Sequence, residues 1–216
     1  MDASLRRALS EALGPGSVLE GGSILAPETA DGVAAALRIA QESRLPIRVT
    51  SGAGKGVTIP AGGAVLSLAR LAAVSVDASN GVARAEAGAT LTALAAALAK
   101  AGMAVPGLSA DPGSDHVGAL IARGGLPRRS LTGIEAALPG GDLIRLGGAV
   151  LKDVVGYDIT SLLLGSGGRL GAIIAVHLRL IPTGAAVEVA EPAGPRDVGE
   201  LTGVFDPEGI LVRPEG

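Results

Sequence analysis

The chain has 216 residues, 48% of them hydrophobic but only 1% aromatic, with 34 glycines, no cysteine and a net charge of −3. That length allows one large domain or two small lobes sharing a core, and the core must be built from Ala, Val, Leu and Ile, because Tyr157 and Phe205 are the only aromatic residues. The absence of a basic stripe argues against nucleic acid as a partner, the lack of cysteine excludes disulfides and thiolate metal sites, and no apolar run is long enough to span a bilayer.

Residues 1–13 read as a charged amphipathic helix carrying Arg6, Arg7 and Glu11, without the apolar stretch of a secretion signal. Ser23, Ile24 and Leu25 ahead of Pro27 predict a short strand. Val33, Ala36, Leu37 and Ala40 recur at helical spacing, Pro46 stops that helix, and Ile47, Arg48 and Val49 resume as a strand. Strand, helix and strand in so short a span predict a βαβ unit whose two strands form a parallel pair.

Short apolar segments follow at residues 64–68 and 73–76, and Asn80-Gly81 predicts a tight turn into a strand over 82–86. Thr90 can cap a helix with Leu91, Leu94, Ala95 and Leu98 as its buried stripe, ended by Gly102. A second helix is expected from residue 114 or 115 to 123. A hairpin is expected over 134–138 and 143–146, and a short helix capped by Asp158 over 159–164. Residues 171–181 predict a long strand, with Val176, Leu178 and Leu180 on one face and His177 and Arg179 on the other. Beyond Pro182 the composition predicts an irregular tail with short strands near Val187 and Ile210. Its apolar segment 209–212 can add a strand to a partner or fold back on its own domain. The fold class is α+β: a small parallel βαβ lobe over about residues 1–60 and a larger mixed, antiparallel-sheet lobe with helices over about 61–183. The tail, 184–216, is too short for a cap or substrate domain.

Two glycine-rich stretches stand out. In TSGAGKGVT, residues 50–58, a P-loop would need glycine where Val49 stands and Ser or Thr where Gly56 stands. A dinucleotide fingerprint would need G-x-G-x-x-G opening a helix, whereas Gly52, Gly54 and Gly56 are spaced G-x-G-x-G ahead of Thr58-Ile59-Pro60. What survives is a run of amides at Ser51, Gly52, Ala53, Gly54, Lys55 and Gly56, able to curl around an anion or to form a plain turn. LLLGSGGRLGAII, residues 162–174, raises a different question: what approaches the chain so closely that it needs bare backbone?

The order of these features over residues 22–183 resembles the FAD-binding domain of the vanillyl-alcohol oxidase type, the PCMH-type domain. VTSGAGKG stands where that family has its pyrophosphate loop, EAGAT at residues 86–90 matches a Gly-Ala-Thr step into a helix, and DPGSDHVGALIA at 111–122 resembles D-P-x-S…T-x-G-G. The stretch GGAVLKDVVGYDITSLLLGSGGRLGAIIAVHLRLIP at 147–182 is similar to the K-[ND]-V-x-G-Y-D…G-x-x-G-T-L-G-[IV] signature of glycolate oxidase flavoprotein subunits, and LPRRS from Leu126 favours their smaller, E-type chain. The resemblance implies a two-lobed fold with FAD held non-covalently between the lobes. Its contacts would come from residues 51–56, from Ser114, His116, Val117, Gly118 and Ala119, and from Gly171 and the main-chain amides of Ile173 and Ile174. By their local pattern Gly165 reads as a helix end and Gly167-Gly168 as a turn, whereas Gly171 is given to the flavin, as the resemblance implies. It also implies a catalytic flavoprotein subunit and an iron–sulfur subunit as partners, in the cytoplasm or peripheral to the inner membrane through them.

Departures from the family pattern are His116 for a threonine, Ala119 for a glycine and Arg169 for a threonine, each adding bulk or charge where a cofactor is expected. No catalytic residue is assigned. Oxidation of a 2-hydroxy acid needs a cationic carboxylate anchor and a base. The densest polar cluster, Lys152, Asp153, Tyr157 and Asp158, reads as a lobe junction, and the two histidines lie too far apart in sequence for an ordinary metal site. A second reading stays open at this level: a structural subunit that kept the fold and lost the cofactor.

Overall fold

The computed structural model describes residues 1–19, 22–109, 113, 115–148, 158–185 and 189–212. The first lobe begins with helix α1 (Ala3–Leu13), whose Asp2 carboxylate accepts the Leu5 amide at 2.7 Å, and strand β1 (Val18–Leu19). Strand β2 (Ile24–Leu25), helix α2 (Ala30–Glu42) and strand β3 (Ile47–Thr50) follow, with Thr29 Oγ1 capping α2 through the Gly32 amide at 3.0 Å. Strand β4 (Ala64–Ser67) completes a sheet of order β1-β2-β4-β3.

The expected βαβ unit is present, but its two strands are not neighbours: β4 inserts between β2 and β3 and runs parallel to both. Every residue of β4 is buried, so it takes the interior place in a parallel sheet covered on both faces. The first sheet therefore extends past the expected boundary near residue 60. Gly63 permits this, since a side chain there would collide with the Pro46 carbonyl.

The second lobe holds strands β5 (Val74–Asp77) and β6 (Val82–Glu86), helix α3 (Leu91–Lys100), strand β7 (Met103–Ala104) and helix α4 (Val117–Ala122). Then come strands β8 (Leu131–Ala137) and β9 (Leu143–Gly147), helix α5 (Ile159–Leu163), and strands β10 (Ala172–Arg179) and β11 (Ile181–Pro182). Its main sheet has the order β5-β6-β10-β8-β9 and is antiparallel throughout. The latest of its strands is thus the central one, lodged between the two hairpins. The polar cluster at 152–157, Ser114 and the strand expected near Val187 lie outside the described residues.

One core fills the space between this sheet and α3 and α4; a second packs α1 and α2 onto the first sheet and onto Ala87, Ala137, Ala172 and Ala175 of the second lobe. Ile173 and Ile174 point to opposite cores as strand alternation requires, and the irregularity in the β10–β8 pairing between Ile173 and Ala175 puts the consecutive Ile174 and Ala175 in the same core.

The tail folds back. Val198 is buried in the second-lobe core, helix α6 (Gly199–Phe205) follows, and Ile210 is buried in the core of the first lobe. The Ile47 amide donates to Ile210 O at 2.6 Å and the Val212 amide to Ile47 O at 2.8 Å, covering the free edge of β3. The Asp206 carboxylate holds the turn by accepting the Ile210 and Leu211 amides at 3.0 and 2.7 Å. The apolar segment 209–212 is thereby used internally.

On the face of the second sheet away from α3 and α4, His177 is not a surface residue as its strand alternation suggests. It is buried, with Nε2 2.9 Å from Glu135 Oε1, while Arg84 donates Nε and Nη2 to the two Glu135 oxygens, both at 2.9 Å. Strand pairing brings the three together from β6, β8 and β10. The Arg84 guanidinium, helped by His177, holds the Glu135 carboxyl down at about 2 against the opposing effect of burial. A depressed carboxylate stabilises the fold above its unfolded value of 4.5, and this contribution drains away as pH falls towards 2. Glu135→Gln is expected to lower stability by about 1–2 kcal/mol at pH 7, read by urea unfolding, because it takes from the half-buried Arg84 guanidinium its bidentate counter-charge and leaves it only Glu86 at 3.2 Å. The gap to the wild type should narrow steadily below pH 4.5; a gap that does not change with pH would refute this account.

Candidate functional site

Between the lobes lies a cleft of about 460 Å³. Val49, Thr50 and Ser51 form one wall where β3 runs out, and Leu68 continues it from the end of β4. Gly118, Ala119 and Ala122 form the opposite wall along α4, and Gly167, Gly168, Gly171 and Ile173 close the third side. Most of this surface is apolar or bare main chain. Arg123, at the end of α4, is its only charged residue among those described, and it pairs with Asp115.

The walls stand where they do because a bare residue of α4, Gly118, packs on the side chains of Ser51 and Ala87. A Cβ on Gly118 would run into Ser51 Oγ and lie 2.7 Å from the Ala87 Cβ. The Val117 and Gly118 amides donate to Ala89 O and Ala87 O, both at 2.9 Å, stitching α4 to the chain leaving β6. These two amides are therefore engaged by the protein itself.

Beside the cleft, residues 51–56 form an open loop. Ser67 Oγ donates to Gly52 O at 2.7 Å and pins its start, and Gly54 (φ +81°) rests on Val65 and Ile24. Gly56 is also left-handed, at φ +77°. Among the described residues no protein acceptor receives the amides of 51–56. A run of unpaired amides with left-handed glycines is a concave donor surface suited to an anion. Lys55 is exposed on it, and the His116 ring lies against Gly52, its Cε1 3.4 Å from where a Gly52 Cβ would stand.

The structure thus brings Ser51, Gly118, Ala119, Gly171 and Ile173 to the cleft, and sets Gly52, Ala53, Gly54, Lys55, Gly56 and His116 beside it. The Val117 and Ile174 side chains point into the two cores instead, and the Ile174 carbonyl accepts the Ala87 amide at 2.8 Å. Of the departures from the family pattern, Arg169 borders a separate surface hollow with Thr202 and Asp206, so it does not fill the cleft. Sequence reasoning missed Thr50, Leu68, Ala122 and Arg123. Their positions depend on which turn of α4 and which strand end face the gap, a matter of packing rather than motif.

The question raised by residues 162–174 has a mixed answer. Gly165, Gly167 and Gly168 are all left-handed, as a turn requires, yet Gly167 and Gly168 also line the cleft. Gly165 meets the Gly194 carbonyl of the returning tail. Gly171 borders the cleft, but a Cβ there would come 2.8 Å from Ala137 O, so the neighbouring strand by itself forbids a side chain. Expectation assigned that bareness to a flavin; β8 already demands it.

No group of three or more His, Asp or Glu suited to a metal occurs among the described residues. Among the described residues its walls carry one cation, Arg123, paired with Asp115. A two-lobed α+β scaffold with an apolar interlobe cleft and an unpaired amide loop at its side defines a cofactor-binding domain.

Residues 23–152, more than half of the chain, match the family described as an FAD binding domain, and the chain belongs to that family. D-lactate dehydrogenase of Archaeoglobus fulgidus is 33% identical over 174 residues, covering 74% of this chain and 38% of the relative. Glycolate oxidase subunit GlcD of Bacillus subtilis is 32% identical over 177 residues, covering 74% and 37%. The solved structure of 4-ethylphenol oxidase from Gulosibacter chungangensis is alike in fold at a TM-score of 0.63 and 20% identity, over 84% of this chain and 43% of the other. The chain spans well under half the length of these relatives.

Gly171→Ala should lower the stability of the cofactor-free protein by about 1–3 kcal/mol in a urea or thermal melt, from the collision with β8. Unchanged stability without ligand would mean that the glycine serves the cleft alone.

Proposed function

We propose that this chain binds FAD non-covalently between its lobes, with the pyrophosphate on the amides of residues 51–56 and a ring system in the cleft beside them. The observation that carries the reading is the pairing of a run of unpartnered amides with an apolar, backbone-lined cleft. The fit is chemical: two linked phosphates need several donors, and a flat ring needs walls without side-chain bulk, which Gly118, Ala119, Gly168 and Gly171 provide. FAD, when bound, supplies electron acceptance from a carbon centre and its onward transfer. The loop contains no histidine and the chain no cysteine, so attachment is non-covalent.

The chain's own residues bind and orient; among the described residues no acid–base pair lines the cleft. We therefore assign it a supporting role in an oxidoreductase for 2-hydroxy acids of the glycolate or lactate kind, beside a catalytic flavoprotein subunit and an iron–sulfur subunit. That substrate class comes from the two curated relatives. Among the described residues no helix is long and apolar enough to cross a membrane. For the assembly we propose the cytoplasm, or the inner-membrane surface reached through its partners.

Titrating the purified chain with FAD, followed by flavin fluorescence and by melting temperature, should show saturable one-to-one binding and a rise in melting temperature. Gly56→Asp, which puts a strained, negative side chain into open space at the loop, should weaken binding at least tenfold. Absence of any FAD binding by the wild type would overturn the reading.

A further inference from the structure

Two glycines beside the cleft are bare for a reason that lies in the tail. Gly124 and Gly165 are both left-handed, at φ +74° and +82°, and a Cβ on either would strike the same atom, the carbonyl oxygen of Gly194. Gly124 stands where the chain leaves α4, and Gly165 opens the turn that carries Gly167 and Gly168. One tail peptide is therefore wedged between the elements that form two sides of the cleft. We propose that the tail is a clamp on the cleft, whose closure and the occupancy of the cleft by the cofactor favour one another; this rests on the FAD reading.

The clamp grips two opposite walls. At one end the Ala193 amide donates to Leu126 O at 3.1 Å, the Gly194 amide to Gly124 O at 2.9 Å and the Arg196 amide to Gly165 O at 2.8 Å, with Val198 buried just beyond. At the other end Ile210 is buried in the first-lobe core, and its carbonyl accepts the Ile47 amide at 2.6 Å. Ile47 belongs to β3, the strand that runs out into Val49, Thr50 and Ser51 of the facing wall. A segment held at both ends limits how far those walls can part.

The stretch between the grips is the part that can give. Helix α6 fully buries none of its seven residues, and Val204 is 75% exposed. A hollow of about 360 Å³ lies where Thr202, Gly203 and Asp206 face Arg169. So short a helix without a buried face is marginal by itself. Melting it would lengthen the segment from about 1.5 Å to about 3.3 Å per residue and release the walls. A ligand touching both walls binds best at the separation the closed tail holds. It must then stabilise the closed tail by the same factor by which closure raises its affinity.

Hydrogen exchange of the full chain, free and saturated with FAD, reads this coupling. Amides over 193–196 and 210–212 are expected to slow about fivefold more than those of α1, which has no residue in the described cleft lining. Asp206→Ala removes the acceptor of the Ile210 and Leu211 amides without touching that lining, and should weaken FAD binding about fivefold. Asp206→Asn, which keeps an acceptor, should bind FAD like the wild type. Equal slowing in α1 and the tail, or none in the tail, would overturn the clamp and leave the FAD reading standing. So would an Asp206→Ala chain that exchanges faster over 210–212 yet binds FAD like the wild type. A wild type that binds no FAD would remove both.

Discussion

At Gly118 bare main chain packs on the Ser51 and Ala87 side chains, and a Cβ there would collide with both. The same small-residue contact continues through Ala137, Ala172 and Ala175, which pack against α1 and α2 of the first lobe. Because bulk is absent at the junction itself, the lobes approach at main-chain distance there and diverge beyond it. The cleft is that divergence. Its walls are smooth because the residues that make the contact possible are the ones that continue along it.

Ordering so thin an interface needs help from elsewhere, and the tail supplies it. Val198 is anchored in one core and Ile210 in the other, and the segment at 194 crosses the glycine turns on the way, with the Gly194 amide donating to Gly124 O at 2.9 Å and the Arg196 amide to Gly165 O at 2.8 Å. This strap joins both lobes and covers the open edge of β3, an edge that would otherwise invite pairing with another chain. The buried Arg84–Glu135–His177 group acts on a different scale: it ties three strands of the second sheet and gives the fold an acid-sensitive element away from the cleft.

Function follows from the division of labour between cleft and loop. Apolar walls accept a ring through dispersion and desolvation, and unpaired amides accept charge through direct hydrogen bonds. Neither feature transfers a proton.

The amino-acid sequence by itself determined the local elements: Thr90 and Asp158 cap their helices, Asn80-Gly81 turns β5 into β6, and Pro-Gly-Gly-Asp turns β8 into β9. Each of these depends on residues a few positions apart, which is why periodicity and turn chemistry sufficed. The loop at 51–56 was legible for the same reason, since its glycines are consecutive in the chain. Tertiary structure alone decided that β4 separates β2 from β3, that β10 enters the middle of the second sheet, and that His177 is buried on Glu135. It also decided that Gly171 is bare on account of Ala137 and that Arg169 turns away from the cleft. Those outcomes are set by burial and collision between segments tens of residues apart, and no short-range pattern in the chain encodes them.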